Sequence, residues 1–210
     1  MLTINNLHHD YDHKPLLQGV QLEVAPGTIH FVLGPSGCGK STLLRCIAGL
    51  LPDGGAVTWD GEPLGAPHER GVGLLFQEPA LFPHLNVWQN VAFGLKYRGV
   101  PRADWRAEAG TWLALVGLAD RMDAKTDQLS GGQRQRVALA RTLAAKPRAV
   151  LLDEPLSALD RALRDELGDS IAALLRKQGV AAVWVTHDEE EANRLGDRVE
   201  RLVEGRLQPL

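Results

Sequence analysis

The first third of the chain alternates short apolar runs with polar or glycine-containing turns, a pattern typical of β-strands. Residues 2–4 and 20–24 place apolar side chains at every second position, and the polar stretch 8–14 is predicted to be the turn between them. A proline–glycine pair then leads into the short, mostly apolar segment 29–33, which predicts a strand.

A helix is predicted from about residue 40 to 51, where proline and glycine residues at 52–55 end it. The run 57–59, followed by the Asp60-Gly61 pair, is typical of a β-hairpin, and 72–76 predicts another buried strand. The first 76 residues are therefore predicted to contain both strands and a helix.

From Asn86 to about Ala145 the strand signals disappear and apolar residues recur at helical spacing. Beyond this segment, apolar runs and helical patterns alternate, with strands predicted at 150–152, 180–185 and 199–203 and helices at 162–177 and 188–195. This order predicts an α/β fold with a mainly parallel sheet, an antiparallel N-terminal part and an inserted helical subdomain. We expect one domain, with a core formed by 1–85 and 146–210 and a helical subdomain at 86–145.

Composition excludes several classes of protein. Of the 210 residues, 44% are apolar and 23% are charged, so the chain can bury a full core and is not of the disordered type. The formal net charge of −3 argues against a protein that binds nucleic acid. Without a signal peptide or a long apolar run, we expect a cytosolic protein whose membrane role, if any, comes through a partner.

The clearest motif is a glycine-rich loop between a predicted strand and a predicted helix. It reads Gly-Pro-Ser-Gly-Cys-Gly-Lys-Ser-Thr over 34–42 and satisfies the phosphate-loop pattern at Gly34, Gly39, Lys40 and Ser41. Glycines allow backbone N–H groups to face phosphate oxygens, and the helix start adds partial positive charge. Lys40 would neutralise phosphate charge and the Ser41 hydroxyl could ligate Mg²⁺.

Two acids follow the apolar strand predicted at 150–152. Because ligands bind at the carboxyl edge of parallel sheets, Asp153 and Glu154 are placed where a nucleotide would lie. We expect Asp153 to hold Mg²⁺ and Glu154 to orient or deprotonate the attacking water.

The segment Leu-Ser-Gly-Gly-Gln at 129–133 opens a helical pattern. Ser130 and Gln133 have the spacing of a capping box, but a cap does not require two successive glycines. Gly131 and Gly132 leave bare N–H groups at a helix start, which predicts a second anion site.

In this order with the phosphate loop, that segment resembles the signature of the ATP-binding cassette (ABC) ATPases, and the resemblance covers nearly the whole chain. It implies a phosphate-loop NTPase core of the RecA-like type, with ATP and Mg²⁺ as cofactors. Gln77 resembles the glutamine of the family's Q-loop, and His187 resembles the switch histidine that contacts the γ-phosphate. Asp160 resembles the aspartate of the loop after the acid pair, and Tyr11 the aromatic residue that stacks on adenine.

The resemblance implies three sets of site residues. The implied catalytic residues are Glu154, His187 and Gln77, and the implied metal ligands are Ser41, Gln77 and Asp153. The implied nucleotide-binding residues are Tyr11, Gly34, Pro35, Ser36, Gly37, Cys38, Gly39, Lys40, Ser41, Thr42, Ser130, Gly131, Gly132, Gln133 and Asp160.

The family resemblance further implies a head-to-tail dimer of two copies, in which each ATP lies between the phosphate loop of one chain and the signature of the other. Residues 77–95 are similar to those of bacterial solute-importer ATPases, so transmembrane permease subunits and, indirectly, a solute-binding protein are the implied partners. Because the sequence ends at Leu210, short cassettes such as the thiamine or iron(III) type are the expected comparison. The implied location is the cytoplasmic face of the bacterial inner membrane.

A non-transport ABC ATPase is the alternative. A DNA-repair or chromosome-organising ATPase would carry long heptad coiled coils, which this chain does not show. A translation-associated cassette usually carries two copies of the motifs, whereas one is present here.

A docking segment is predicted between Gln77 and Val91, with four large apolar residues in a short proline-containing stretch, namely Leu81, Phe82, Leu85 and Trp88. If exposed, such a loop suggests a surface for a permease helix. The other interpretation is that all four side chains fold inward as core.

Overall fold

A computed structural model describes all 210 residues, apart from the side chain of Tyr97. The strands are β1 Leu2–Tyr11, β2 Lys14–Val24, β3 Ile29–Leu33, β4 Val57–Trp59, β5 Glu62–Pro63, β6 Val72–Leu75, β7 Ala149–Asp153, β8 Ala181–Thr186, β9 Arg198–Val203 and β10 Arg206–Pro209. The α-helices are α1 Lys40–Ile47, α2 Val87–Ala92, α3 Trp105–Leu115, α4 Gly131–Ala144, α5 Arg161–Gln178 and α6 Glu189–Leu195, and short 3₁₀ helices connect some of them.

The larger sheet has the strand order β10-β9-β3-β8-β7-β6. Its central strands pair in parallel, and every residue of β3, β7 and β8 is buried. Strands buried on both faces need continuous apolar runs rather than alternation, which is the pattern of these three segments. The prediction of a mainly parallel α/β sheet is confirmed.

The smaller, antiparallel sheet has the order β2-β1-β4-β5. The turn predicted over 8–14 is wrong in extent, because β1 and β2 remain paired as far as Tyr11 and Lys14. Asp12 and His13 both have positive φ angles, 48° and 62°, so the chain reverses direction within two residues. The polar residues assigned to the turn are therefore mostly strand residues of an exposed hairpin.

Helix α1 ends at Ile47 instead of continuing to Leu51 as predicted. The buried Arg70 side chain explains this early end, since its Nη1 donates to the carbonyl oxygens of Cys46 and Ile47 at 3.2 and 2.9 Å. The Ile47 carbonyl is one of those that a helix end leaves without an intrahelical partner, whereas the Cys46 carbonyl also accepts from the N–H of Gly49 at 2.9 Å. Gly49 then takes a left-handed conformation with φ 77° and turns the chain away.

The final parallel strand carries a buried charge. Glu200 on β9 faces His30 on β3, and Oε2 of the glutamate lies 2.7 Å from Nε2 of the histidine. Arg198 also donates to Glu200, at 3.0 Å. The buried carboxylate of β9 is thus matched by a polar residue in the neighbouring strand. Strand β10, which pairs with β9, was not predicted.

Contacts divide the chain into two compact units. The first contains Met1–Leu74, Arg148–Glu154 and Ile171–Leu210, and the second contains Leu75–Pro147 and Pro155–Ser170. In the second unit, the apolar residues at helical spacing are buried among α2, α3 and α4, as predicted for core. The functional division at 86–145 stays a prediction. Among the described residues, no helix combines the length and apolar character needed to cross a membrane.

Candidate functional site

The glycine-rich loop links β3 to α1 and belongs to the first unit. An added Cβ at Gly34 would lie 2.7 Å from Sγ of Cys38, and Gly39 has a φ of 108°, so both positions require glycine. Pro35, Ser36 and Gly37 are exposed at the tip of the loop, whereas Gly39 and Lys40 are buried. Ser41 and Thr42 follow in the first turn of α1 and are half-buried.

Lys40 shapes this loop from inside. Its Nζ donates to the carbonyl oxygens of Gly34 and Pro35 at 2.7 and 3.0 Å, which closes the loop around the ammonium group. In the described part of the chain, no side chain caps the start of α1. The backbone N–H groups of the first turn and the lysine together form an anion site of the kind that binds phosphate.

Ser41 and Asp153 form the second element of the site. Asp153, the last residue of β7, is 6% exposed and accepts a hydrogen bond from the Ser41 hydroxyl. Burial raises the pKa of the Asp153 carboxyl, Glu154 adds to the increase, and Ser41, Lys40 and Arg45 oppose it. Mg²⁺ prefers oxygen ligands, and proteins usually supply only one or two of them while phosphate and water supply the rest. The hydroxyl and carboxylate of this pair therefore fit the ion.

Glu154 and His187 meet at the ends of two neighbouring parallel strands. Nδ1 of His187 lies 3.4 Å from Oε1 of Glu154, and the side chains are 65% and 13% exposed. Glu154 has a φ of 47°, which is uncommon for a residue with a side chain, and its N–H donates to the Val185 carbonyl at 3.0 Å. A strained backbone held by the adjacent strand is a feature frequent at functional sites.

The signature segment lies in the second unit, where the predicted capping box at the start of α4 is confirmed. The Ser130 hydroxyl accepts from the N–H of Gln133 at 3.3 Å, and Oε1 of Gln133 accepts from the N–H of Ser130 at 2.9 Å. A Cβ at Gly131 would meet nothing within 4 Å, whereas one at Gly132 would lie 3.1 Å from the Ala158 carbonyl oxygen. Gly132 is therefore needed for packing, and Gly131 leaves an open surface at the helix start.

The remaining predicted residues are Asp160, Gln77 and Tyr11. The Asp160 side chain caps α5, because its Oδ1 accepts from the N–H of Leu163 at 3.0 Å. Gln77 is exposed, two residues beyond the end of β6, and belongs to the second unit. Tyr11 is 67% exposed next to the tip of the β1–β2 hairpin.

The predicted docking segment borders a groove of about 370 Å³ in the second unit. Leu85 and Trp88 line this groove, and all four apolar residues of the segment are half-buried, between core and open surface. Phe93 and Trp105 also line it, as do the basic residues Lys96 and Arg102, and none of these four residues was predicted. The one sequence signal for them was the run of aromatic and basic residues from 93 to 106.

Comparisons with known proteins agree with this geometry. The family described as ABC transporter matches residues 17–157. A putrescine transport ATP-binding protein of Escherichia coli is 44% identical over 99% of this chain and 56% of its own length. A sulfate/thiosulfate import ATP-binding protein of Gloeobacter violaceus is 45% identical over 99% of this chain and 61% of its own length. The chain therefore spans somewhat more than half the length of these curated relatives.

A solved structure, a dimeric ATP-binding cassette in a post-hydrolysis state bound to ADP and phosphate, matches with a TM-score of 0.88 and 32% identity. The match covers 99% of this chain and 97% of that one. With a family match over most of the chain and a fold match over nearly all of it, the chain belongs to the ABC transporter family of ATP-binding proteins.

Proposed function

We propose that this chain binds ATP with Mg²⁺ and hydrolyses it, and that it energises a bacterial solute importer as a head-to-tail dimer. The observation that carries the proposal is the placement, within one unit, of a closed phosphate loop, a buried hydroxyl–carboxylate pair and a glutamate–histidine pair. Each of these supports a separate part of the reaction.

Nucleotide binding is assigned to the loop and the start of α1. Backbone N–H groups from Gly37 to Thr42 and the Lys40 ammonium would hold the β- and γ-phosphates. Ser41 and Asp153, which are already hydrogen-bonded to each other, would hold Mg²⁺, with Gln77 as a further ligand. The ion would supply charge neutralisation on the phosphates.

Hydrolysis is assigned to Glu154. Its carboxylate would orient the attacking water and accept its proton, the role of a general base. His187, 3.4 Å away, would hold this carboxylate in place and contact the γ-phosphate. Gln77 is proposed to sense the same phosphate from the segment that precedes the docking surface.

Dimer formation is proposed from the second anion site. Gly131 leaves the start of α4 uncovered, and a helix start attracts negative charge. In a two-fold head-to-tail pair, this surface of one chain would close over the nucleotide bound by the other. Tyr11 is proposed to stack on adenine, and Asp160 to lie at the dimer contact. The solved relative bound to ADP and phosphate is itself dimeric.

The transport role is proposed from the relatives, whose names specify putrescine, spermidine/putrescine and sulfate/thiosulfate. These names favour an importer over a non-transport ATPase. We propose that permease subunits bind the groove lined by Leu85, Trp88 and Phe93 and hold the chain at the cytoplasmic face of the inner membrane. A solute-binding protein would then act through the permease. The likeness to the shorter thiamine and iron(III) cassettes stays a prediction.

An ATPase assay on the purified chain tests the proposal. Lys40→Ala should abolish the release of phosphate from ATP and weaken the binding of a fluorescent ATP analogue, because the loop loses its buried cation. Lys177→Ala, at the exposed end of α5, is the matched control and should behave like the parent. Equal hydrolysis by the Lys40 variant and the parent would contradict the proposed site.

A further inference from the structure

The segment between Gln77 and α2 has no regular secondary structure, yet a buried side chain fixes its second half. Asn90 on α2 is fully buried. Its Oδ1 accepts from the N–H of Phe82 at 2.8 Å, and its Nδ2 donates to the carbonyl oxygens of Phe82 and Leu85, each at 3.1 Å. A single side chain therefore satisfies backbone groups on both sides of the turn, which ties this turn to α2.

Arg141 holds the first half of the segment from a different helix. In the last turn of α4, its Nη1 donates to the carbonyl oxygen of Ala80 at 2.7 Å. Its guanidinium carbon also lies 5.3 Å from the centre of the Phe82 ring, within the range of a cation–π interaction. That ring packs against Phe93, with centroids 4.5 Å apart, and Phe93 lines the groove.

Arg141 and the signature segment lie at opposite ends of α4. The helix begins with the signature cap at Ser130 and the open surface at Gly131. Eleven residues later the same helix contacts the segment that follows Gln77, a span of about 16 Å at 1.5 Å per residue. A continuous helix is stiff over this length, so a shift of the segment at one end moves the signature at the other.

We propose that Arg141 is a positioning residue, which joins the segment 79–85 to the signature helix so that the two move as one body. Resting on the proposed function, this contact carries the occupancy of the groove to the surface that closes over the nucleotide. A guanidinium meets the requirement because one of its nitrogens donates to a carbonyl while its carbon lies over a ring. Lysine would keep the charge and the donor but lose the planar contact.

Hydrogen exchange measured by mass spectrometry on the whole chain tests the contact directly. Arg141→Met should speed exchange in the peptide 79–86 by about tenfold or more, because a charge-assisted hydrogen bond and a ring contact are lost. Exchange in α3 should stay at the parent rate. Arg141→Lys should give an intermediate increase, and it carries the test alone if the methionine variant does not fold.

The matched control is Arg136→Met, on the same helix. Arg136 also donates to a backbone carbonyl, that of Val116 at 2.8 Å, but it faces a different connection. This variant should leave exchange in 79–86 unchanged. An unchanged 79–86 peptide in the Arg141 variants, or an equal increase throughout the second unit, would overturn the proposal.

Kinetics test the second half of the inference. Arg141→Met should lower kcat for ATP hydrolysis while leaving KM for ATP unchanged, since the phosphate loop lies in the other unit and keeps all its contacts. A kcat equal to that of the parent would overturn the link to the signature. If the parent itself does not hydrolyse ATP, the proposed function fails, whereas the exchange measurement still decides whether Arg141 holds the segment.

Discussion

His187 and Glu154 face each other across the ends of β8 and β7, with Nδ1 of the histidine 3.4 Å from Oε1 of the glutamate. The parallel pairing sets this distance, because Asp153 lies opposite Val185 in the register and each site residue follows shortly afterwards. The largely buried glutamate thus contacts the exposed histidine that is proposed to hold its carboxylate in place.

Replacing Glu154 by glutamine tests its assignment as the base. Glu154→Gln should keep ATP binding and slow hydrolysis by about 10²- to 10⁴-fold, because an amide cannot accept the proton. ATP should then hold two chains together, since nucleotide stabilises the form that it binds best. Light scattering with ATP detects this dimer. Glu62→Gln, on the exposed strand β5, is the control. Turnover at the parent rate in the Glu154 variant would remove it from this role.

The buried pair formed by His30 and Glu200 predicts a loss of stability in acid. Burial lowers the pKa of His30 below its usual value, although Glu200 acts in the opposite direction. The unfolded chain therefore binds the proton more tightly, so the free energy of unfolding should fall as the pH decreases below about 6.5. Thermal melts between about pH 8 and 5 measure this slope.

In His30→Gln the acid-side slope should become shallower, because the titrating group is gone. His68→Gln is the matched control, since the His68 side chain is 82% exposed. A slope in His30→Gln as steep as that of the parent would show that other groups cause the acid sensitivity.

The groove in the second unit predicts a variant that separates docking from nucleotide binding. Leu85→Asp should abolish co-purification with the permease and solute uptake, because a carboxylate would be buried against an apolar surface. Binding of ATP by the isolated chain should survive. Phe82→Asp should have the same effect on docking, but it also removes the ring beneath Arg141. Uptake at the parent level in Leu85→Asp would exclude the groove as the docking site, whereas unfolding would favour the core interpretation.

Much of the fold could be predicted because its signals are local. The segments that form β3, β7 and β8 are apolar, as a strand buried on both faces requires, apart from His30 in β3 and the last residues of the other two strands, Asp153 and Thr186. The glycine-rich loop and the capping box at Ser130 are likewise set by neighbouring residues, so their geometry follows from spacing.

Features that depend on distant residues could not be predicted in this way. The end of α1 at Ile47 depends on Arg70, which reaches its carbonyls from 23 positions away in the sequence. The buried charge of Glu200 depends on the pairing of β9 with β3, which places His30 beside it. Pairing between strands that are far apart in sequence leaves no local pattern from which to infer it.

In the candidate site, too, some residues could be predicted from local motifs and others could not. Lys40, Ser41 and Asp153 were predicted from motifs. In the structure the Ser41 hydroxyl donates to the Asp153 carboxylate, and the charge of Lys40 acts on the same carboxylate. For Tyr11 and Gln77, which are both exposed, the family resemblance was the sole basis, and their roles stay predictions. The contact between Arg141 and the segment 79–85 could not be predicted from a motif. Its acceptor is the backbone carbonyl of Ala80, which any residue type would provide.

Mixing two inactive variants is the most direct test of the central claim that each ATP site is shared by two chains. Lys40→Ala damages the phosphate loop, whereas Ser130→Arg damages only the surface offered to the partner, so each variant alone should fail to hydrolyse ATP. In an equal mixture, half of the dimers pair one variant with the other, and each mixed dimer has one intact site. Activity should return to about a quarter of the parent rate if the two sites act independently. A mixture as inactive as its components, or a Ser130→Arg monomer that cannot bind ATP, would contradict the shared site.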